Sequence, residues 1–392
     1  MFEGLIGGFY DCLQPFNLIL LFLGTFLGLL VGALPGLSSP MAIIILLPVT
    51  YSLNPLPALL VMIGVYVGTK LGGSFAAILL RTPGTPASAC TALDGFPMAE
   101  KGEAGLALGY ATYGSFVGGL SSWIIAVTFI PVISAIALKS SNADIALIGI
   151  MGLVMVSAFT RGSMLKGFIG VCVGLLIGCM GMDRVDTIER FTFGSLDLLT
   201  GVPFAAALVG LFGFAVVISD LSLMKSKSEI VATKFRIKLP TFKQFFSRWK
   251  AWGTGSFMGA IVGAVPGVGA DGATWLAYGT VKNNSKNPEL FGTGHPAGVV
   301  ASESANDAKD GGILLPTLTF GIPGNGEMVI LMAAFILHGI QPGRDLLVNR
   351  LDIVWAIILG VIGAQILTTI VILALTINNP LNVSWFSPLI IG

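Results

Sequence analysis

Uncharged apolar runs of 18 residues or more recur along this chain, as in NLILLFLGTFLGLLVGAL (17–34) and IVWAIILGVIGAQILTTIVILALTI (353–377). A helix of that length crosses the roughly 30 Å of hydrocarbon in a bilayer. Inside hydrocarbon only helices and closed barrels satisfy their own backbone. A membrane barrel alternates apolar and polar residues with period two, and these runs do not. The chain therefore reads as an all-α polytopic membrane protein. Charge agrees: 10% of residues are Asp, Glu, Lys or Arg, against about 25% in soluble domains. The net charge of +1 and the lack of a basic face interleaved with aromatics leave no nucleic-acid reading.

The expected spans are roughly 16–34, 41–67, 105–137, 143–160, 164–182, 201–222, 251–265 and 351–377. The stretches 71–93 and 312–340 are apolar too, but a Pro-Gly pair interrupts each, so they read as hairpins or broken helices. The N-terminus has no basic n-region and no A-x-A site, so no signal peptide is expected. The four cysteines, Cys12, Cys90, Cys172 and Cys179, form no CxxC pair and read as packing residues. His295 and His338 are too isolated to suggest a metal site, and no nucleophile pairs with a base.

Residues 225–250, KSKSEIVATKFRIKLPTFKQFFSRWK, carry eight Lys or Arg and one Glu. The segment reads as a solvated linker, cytoplasmic by the positive-inside rule. It separates a first repeat, 1–224, from a second, 251–392, which is expected to be incomplete at its C-terminus. The two match. GTFLGLLVGALPG (24–36) and GSFMGAIVGAVPG (255–267) are identical at eight of thirteen positions, and LLRTPGT (79–85) aligns with TFGIPGN (319–325). With an odd number of spans between them, the copies would be inverted across the membrane, as in many secondary transporters.

The ladders Gly24/Gly28/Gly32 and Gly255/Gly259/Gly263 place small residues on one helix face and read as close-packing seams. The Pro-Gly breaks carry a different message. Broken backbone survives at membrane depth only where protein or a water-filled cavity supplies partners. Helix starters follow the breaks: Ser39 before Pro40, Thr85 before Pro86 with Ser88 beyond, and Asn325. Helix N-termini aim free N–H groups and partial positive charge at an anion. Unwound carbonyls and nearby Ser, Thr or Asn oxygens suit a cation such as Na⁺. Candidate substrate contacts are Ser38, Ser39, Thr82, Gly84, Thr85 and Ser88 in the first half, with Asn306, Gly324 and Asn325 in the second. Asp271 is the candidate Na⁺ or proton site, because an ionisable group at membrane depth is functional by default. The polar stretch ASESANDAKDGG (301–312) is either a surface loop or, through Asn306, part of the cavity wall. Glu327, just past the IPGNG turn, reads as an ion ligand, a substrate contact or a first-turn helix charge, the last being stabilising on its own.

At these motifs the chain resembles the large membrane subunit of the tripartite tricarboxylate transporters. The resemblance rests on GALPGLSSPMAIIILLPVTY (32–51), GGSFAAILLRTPGTPASACTALDGFPMAEKGEAG (72–105), GAVPGVGADGATWLAYGTVK (263–282), ESANDAKDGGILLPTLTFGIPGNGEM (303–328) and HGIQPG (338–343). It runs from about residue 4 to about residue 375. The chain departs from the family pattern at Asn306-Asp307-Ala308-Lys309-Asp310, where the family has Asn-Asn with small residues, at Asp271, where it has a small uncharged residue, near Gly324-Asn325, where it has Gly-Ser, and at Arg81, where a polar uncharged residue is common. The resemblance implies a non-enzymatic, multi-pass protein of the bacterial inner membrane. It would import tricarboxylates or related organic acid anions by alternating access, driven by Na⁺ or H⁺, with no other cofactor. Its partners would be a small transmembrane subunit, a periplasmic substrate-binding protein and the lipid bilayer. The rival readings are an organic anion channel, a purely structural membrane subunit and, from the faint GVGAD likeness to a Gly-x-Gly-Asp motif, an intramembrane aspartyl protease.

Overall fold

The computed structural model describes residues 2–34, 37–159, 163–183, 187–203, 238–265 and 269–378, with isolated helical positions at 206, 207, 210, 211, 214 and 218. Most of these residues are helical. The first half runs α1 (Phe2–Leu13), α2 (Pro15–Ala33), α3 (Ser39–Thr50), α4 (Pro55–Leu80) and α5 (Ala89–Glu100), then α6 (Ala104–Lys139), α7 (Asn142–Phe159) and α8 (Met164–Gly178). The second runs α9 (Phe242–Phe246), α10 (Trp249–Ala264), α11 (Gly269–Asn283), α12 (Pro296–Phe320), α13 (Gly326–Leu337), α14 (Arg344–Asn349) and α15 (Leu351–Asn378). The sole sheet among the described residues is the two-residue pair Gly181–Met182 with Glu189–Arg190. Four helices, α2, α4, α6 and α15, are long and apolar enough to cross a membrane.

Local chemistry sets the helix ends. Proline opens α2, α3, α4 and α12, where its missing N–H has no intrahelical partner to lose. Left-handed residues close the two longest helices of the matched segments: Arg81 (φ 56°) ends α4 and Gly321 (φ 68°) ends α12. The expected span 41–67 is corrected here. Tyr51–Asn54 interrupts it, and the Asn54-Pro55 step forces a new helix start. Helices α3, α5 and α13 have 12 residues each, about 18 Å at 1.5 Å per residue, too short to cross a bilayer. They are half-helices that follow breaks. Pro35-Gly36 and Pro266-Gly267 lie outside the described residues, but α2 and α10 end just before them and α3 and α11 start just after.

The glycine ladders pack as expected. Gly24, Gly28 and Gly32 of α2 lie on the backbone of Val61, Val65 and Thr69 of α4, and α4 answers with Gly64, Gly68 and Gly72. In the second half Gly255, Gly259 and Gly263 of α10 lie on Ala301, Ala305 and Lys309 of α12, which answers with Gly312. None of these sites has room for a Cβ. The two helix pairs are therefore built alike. Thr69 and Lys309, Gly72 and Gly312, Arg81 and Gly321, and Thr85 and Asn325 occupy matching places, each 240 residues apart.

Each half also grips the other with its half-helix. From the first half, α5 packs on α11 and α12; from the second, α13 packs on α3 and α4. Asp94 of α5 fastens the first contact. Its carboxylate accepts hydrogen bonds from Tyr278 Oη (2.9 Å) and from the backbone amides of Gly292 (2.8 Å), Gly294 (2.9 Å) and His295 (2.7 Å). His338, just past α13, fastens the second: its ring nitrogens lie 2.8 Å from the Ala334 carbonyl oxygen and 3.1 Å from that of Thr50. The described part of the basic segment folds back on α6, with Phe245 edge-on to Tyr113 and Arg248 stacked over Tyr110. Cys12 and Cys90 are buried, whereas Cys172 and Cys179 are exposed on and beside α8, against the expectation that all four pack.

Candidate functional site

Two apolar cores divide the bundle. One gathers the start of α4 with α3, α13 and α15; the other gathers the end of α4 with α5 and the start of α12. Between them, α4 and α12 reach each other through side chains from a polar stripe on each. Positions three or four apart share a helix face, so Tyr66, Lys70 and Ser74 line α4 while Glu303, Asp307 and Asp310 line α12. The stripes pair as an antiparallel ladder. Tyr66 Oη donates to Asp310 Oδ1 (2.7 Å), Lys70 Nζ pairs with both Asp310 and Asp307 (2.6 Å to the latter), and Ser74 Oγ donates to Glu303 Oε1 (2.7 Å). Lys70 and Asp310 are themselves matching positions of the two halves, so equivalent residues meet in the buried interior.

Every rung is buried: Lys70, Asp307 and Asp310 are each 1% exposed and Glu303 is 0%. A charge taken out of water costs several kcal/mol, recovered only with good geometry and further hydrogen bonds. The surroundings provide them. Ser115 of α6 donates to Asp307, Gln365 Nε2 of α15 donates to Ser115 (3.3 Å), and Thr91 of α5 donates to Glu303. Lys309 lies 3.7 Å from both Asp310 and Glu327, which links the ladder to the first turn of α13.

The polar stretch 301–312 is thus neither a surface loop nor a loop of any kind. It is the middle of α12, buried throughout. Sequence reasoning missed Tyr66, Lys70 and Ser74 of α4 and Thr91 of α5. Lys70 alone carried a signal, a single charge inside the apolar run 55–80, which an intramembrane reading makes functional by default.

Several expected site residues border this ladder. Ser39 accepts a hydrogen bond from Thr69 Oγ1 (2.5 Å), one residue from Lys70. The helix-start role expected of Ser39 is corrected: Ser38 holds the cap position, is buried, and gives no side-chain cap to α3. Thr85 and Ser88 form a reciprocal capping box (3.2 and 3.3 Å), packed on Gly73 beside Ser74. The Gly84 amide donates to the Gly73 carbonyl (3.3 Å), and the backbone there leaves no space for a side chain. Asn325 caps α13 by accepting from the Met328 amide (2.8 Å) and donates to Glu327 (3.3 Å). Gly324 packs on Ile313. Asn306 is buried in α12 beside the ladder. Thr82 is half-buried and bonds back to the Leu80 carbonyl (3.1 Å). Asp271 is in the first turn of α11, and its side chain lies outside the described residues.

Helices this apolar, joined through buried ionic rungs and interrupted by half-helices, define a polytopic membrane protein with ionisable groups in its interior. The chain belongs to the tripartite tricarboxylate transporter TctA family, which it matches over residues 18–378. Membership assigns it to the large membrane subunit of such transport systems. It is 37% identical over 385 residues to an uncharacterized 52.8 kDa protein in the TAR-I ttuC' 3' region of Agrobacterium vitis, covering 98% of this chain and 75% of that protein. It is 38% identical over 133 residues to an uncharacterized protein in the TAR-II ttuC' 3' region of the same organism, covering 34% of this chain and 52% of that one. No solved structure gives a significant match.

Proposed function

We propose that the chain is the translocating subunit of a binding-protein-dependent secondary transporter that imports tricarboxylates or related organic acid anions by alternating access. A periplasmic binding protein would deliver the anion, a small membrane subunit would complete the assembly, and a Na⁺ or H⁺ gradient across a bacterial inner membrane would drive uptake. The observation that carries this reading is the α4–α12 ladder: matching helices of the two halves meet through buried charges, with post-break turns of both halves beside them. Antiparallel contact between equivalent helices is the order that copies inverted across a membrane would produce, and supports that arrangement.

In this reading Ser38, Ser39, Thr82, Gly84, Thr85, Ser88, Asn306, Gly324 and Asn325 line the site, with hydroxyl and amide contacts to the anion and side-chain oxygens, that of Asn306 among them, open to the cation, and Asp271 takes part in cation or proton traffic. Helix N-termini after the breaks would suit a carboxylate through their partial positive charge, without a dedicated arginine. The discriminating variants are Thr85→Leu and Asn325→Leu. Each should abolish uptake of radiolabelled organic acids into proteoliposomes while leaving membrane insertion normal. Normal uptake by both would remove the turns from the substrate path.

A further inference from the structure

One carboxylate of the ladder has no cation within ion-pair distance among the described residues. Lys70 pairs with Asp307 and Asp310, and Lys309 with Asp310 and Glu327. Glu303 stands apart. Its Oε1 accepts from Ser74 Oγ (2.7 Å) and Thr91 Oγ1, while Oε2 has no hydrogen-bond partner among the described residues. Three residues on, Asn306 is 1% exposed and neither of its amide atoms has a partner among them. At 100° per residue the two side chains leave α12 about 60° apart, one turn along the axis. Two buried polar groups without partners therefore stand on neighbouring positions of one face of α12, where leaving them unpaired is costly.

We infer that Glu303, Asn306, Ser74 and Thr91 form a binding site for a single Na⁺. The inference rests on the transporter reading above, for which it names the place of the coupling cation. The donors are all oxygen, as a hard cation requires: a carboxylate, an amide carbonyl and two hydroxyls. One unpaired carboxylate is neutralised by one monovalent charge; a divalent ion would leave a buried excess. A proton would settle one Glu303 oxygen and leave the Asn306 amide as it is, whereas a cation between them engages both.

The ligands come from three helices. Glu303 and Asn306 belong to α12 of the second half, Ser74 to α4 and Thr91 to α5 of the first. α5 follows the TPGT turn, and Thr85 of that turn packs beside Ser74. The bound cation would thus tie the first half's hairpin to the second half's central helix. A rearrangement that separates them would dismantle the site, so Na⁺ would favour one state over the other by differential binding.

The test is equilibrium binding of radiolabelled Na⁺ to the full chain purified in detergent, with no organic acid present. The wild-type chain should bind saturably, and excess unlabelled Na⁺ should displace the label. Glu303→Gln should abolish binding. Thr91→Val, nearly isosteric, should weaken it about 10–100-fold, the range for disturbed metal environments, while eluting as a monodisperse peak. Absence of saturable binding by the wild-type chain, or unchanged binding by well-folded Thr91→Val and Glu303→Gln variants, would overturn the site. Uptake into proteoliposomes separates the two levels. Proton-driven uptake without Na⁺ binding sinks the site and leaves the transporter standing; saturable Na⁺ binding with no organic acid flux under any gradient does the reverse.

Discussion

Lys70 holds two carboxylates, Asp307 and Asp310, with all three side chains closed off from the surface. Removing one partner of a buried ion pair strands the other, at about 3–5 kcal/mol. Lys70→Met should therefore lower the unfolding free energy in micelles by about that amount. The double variant Lys70→Met, Asp310→Asn should recover part of the loss, because one stranded charge disappears. A Lys70→Met chain as stable as wild type, measured by denaturant titration, would contradict the ladder. At this scale the sequence was legible in one half only. The charges of 301–312 are conspicuous because they cluster, yet a cluster resembles a surface loop. Lys70 is a single charge diluted in 26 residues of α4, and nothing local says that its partners stand 237 and 240 positions away. Asn325 and Thr85 were legible because a cap is a local device.

At the scale of elements, the glycine spacing forecast its own packing. The ladders of α2 and α10 sit against carbonyls of α4 and α12, where a Cβ has nowhere to go. Gly259→Ala should cost about 1–3 kcal/mol through overpacking. Gly170→Ala, inside α8 with open space around it, should instead raise stability, by up to about 1 kcal/mol, the helix-propensity difference between the two residues. Thermal unfolding of the two purified variants side by side checks the contrast, and equal effects would refute the seam. The break of 41–67 into α3 and α4 was harder to see, because the turn at 51–54 carries hydrophobic residues and only Asn54-Pro55 marks it. Helix α12 escaped for the opposite reason. Its first half is too polar for a hydropathy window, and it is buried through pairing rather than through apolarity.

At the scale of the whole molecule, the matched halves exchange half-helices and meet through α4 and α12. That the halves match was legible from shared motifs; that equivalent positions touch was not, since contact between copies leaves no local trace. In the alternating access proposed above, one half would move against the other and the charged rungs would part and re-form. Gradient-driven uptake of radiolabelled citrate and other organic acids tests this most directly. Proteoliposomes would contain the chain with its small partner subunit, with the binding protein and the ion gradient each present or absent. The account predicts accumulation against a concentration gradient that requires both. Downhill flux indifferent to both would describe a channel and contradict it.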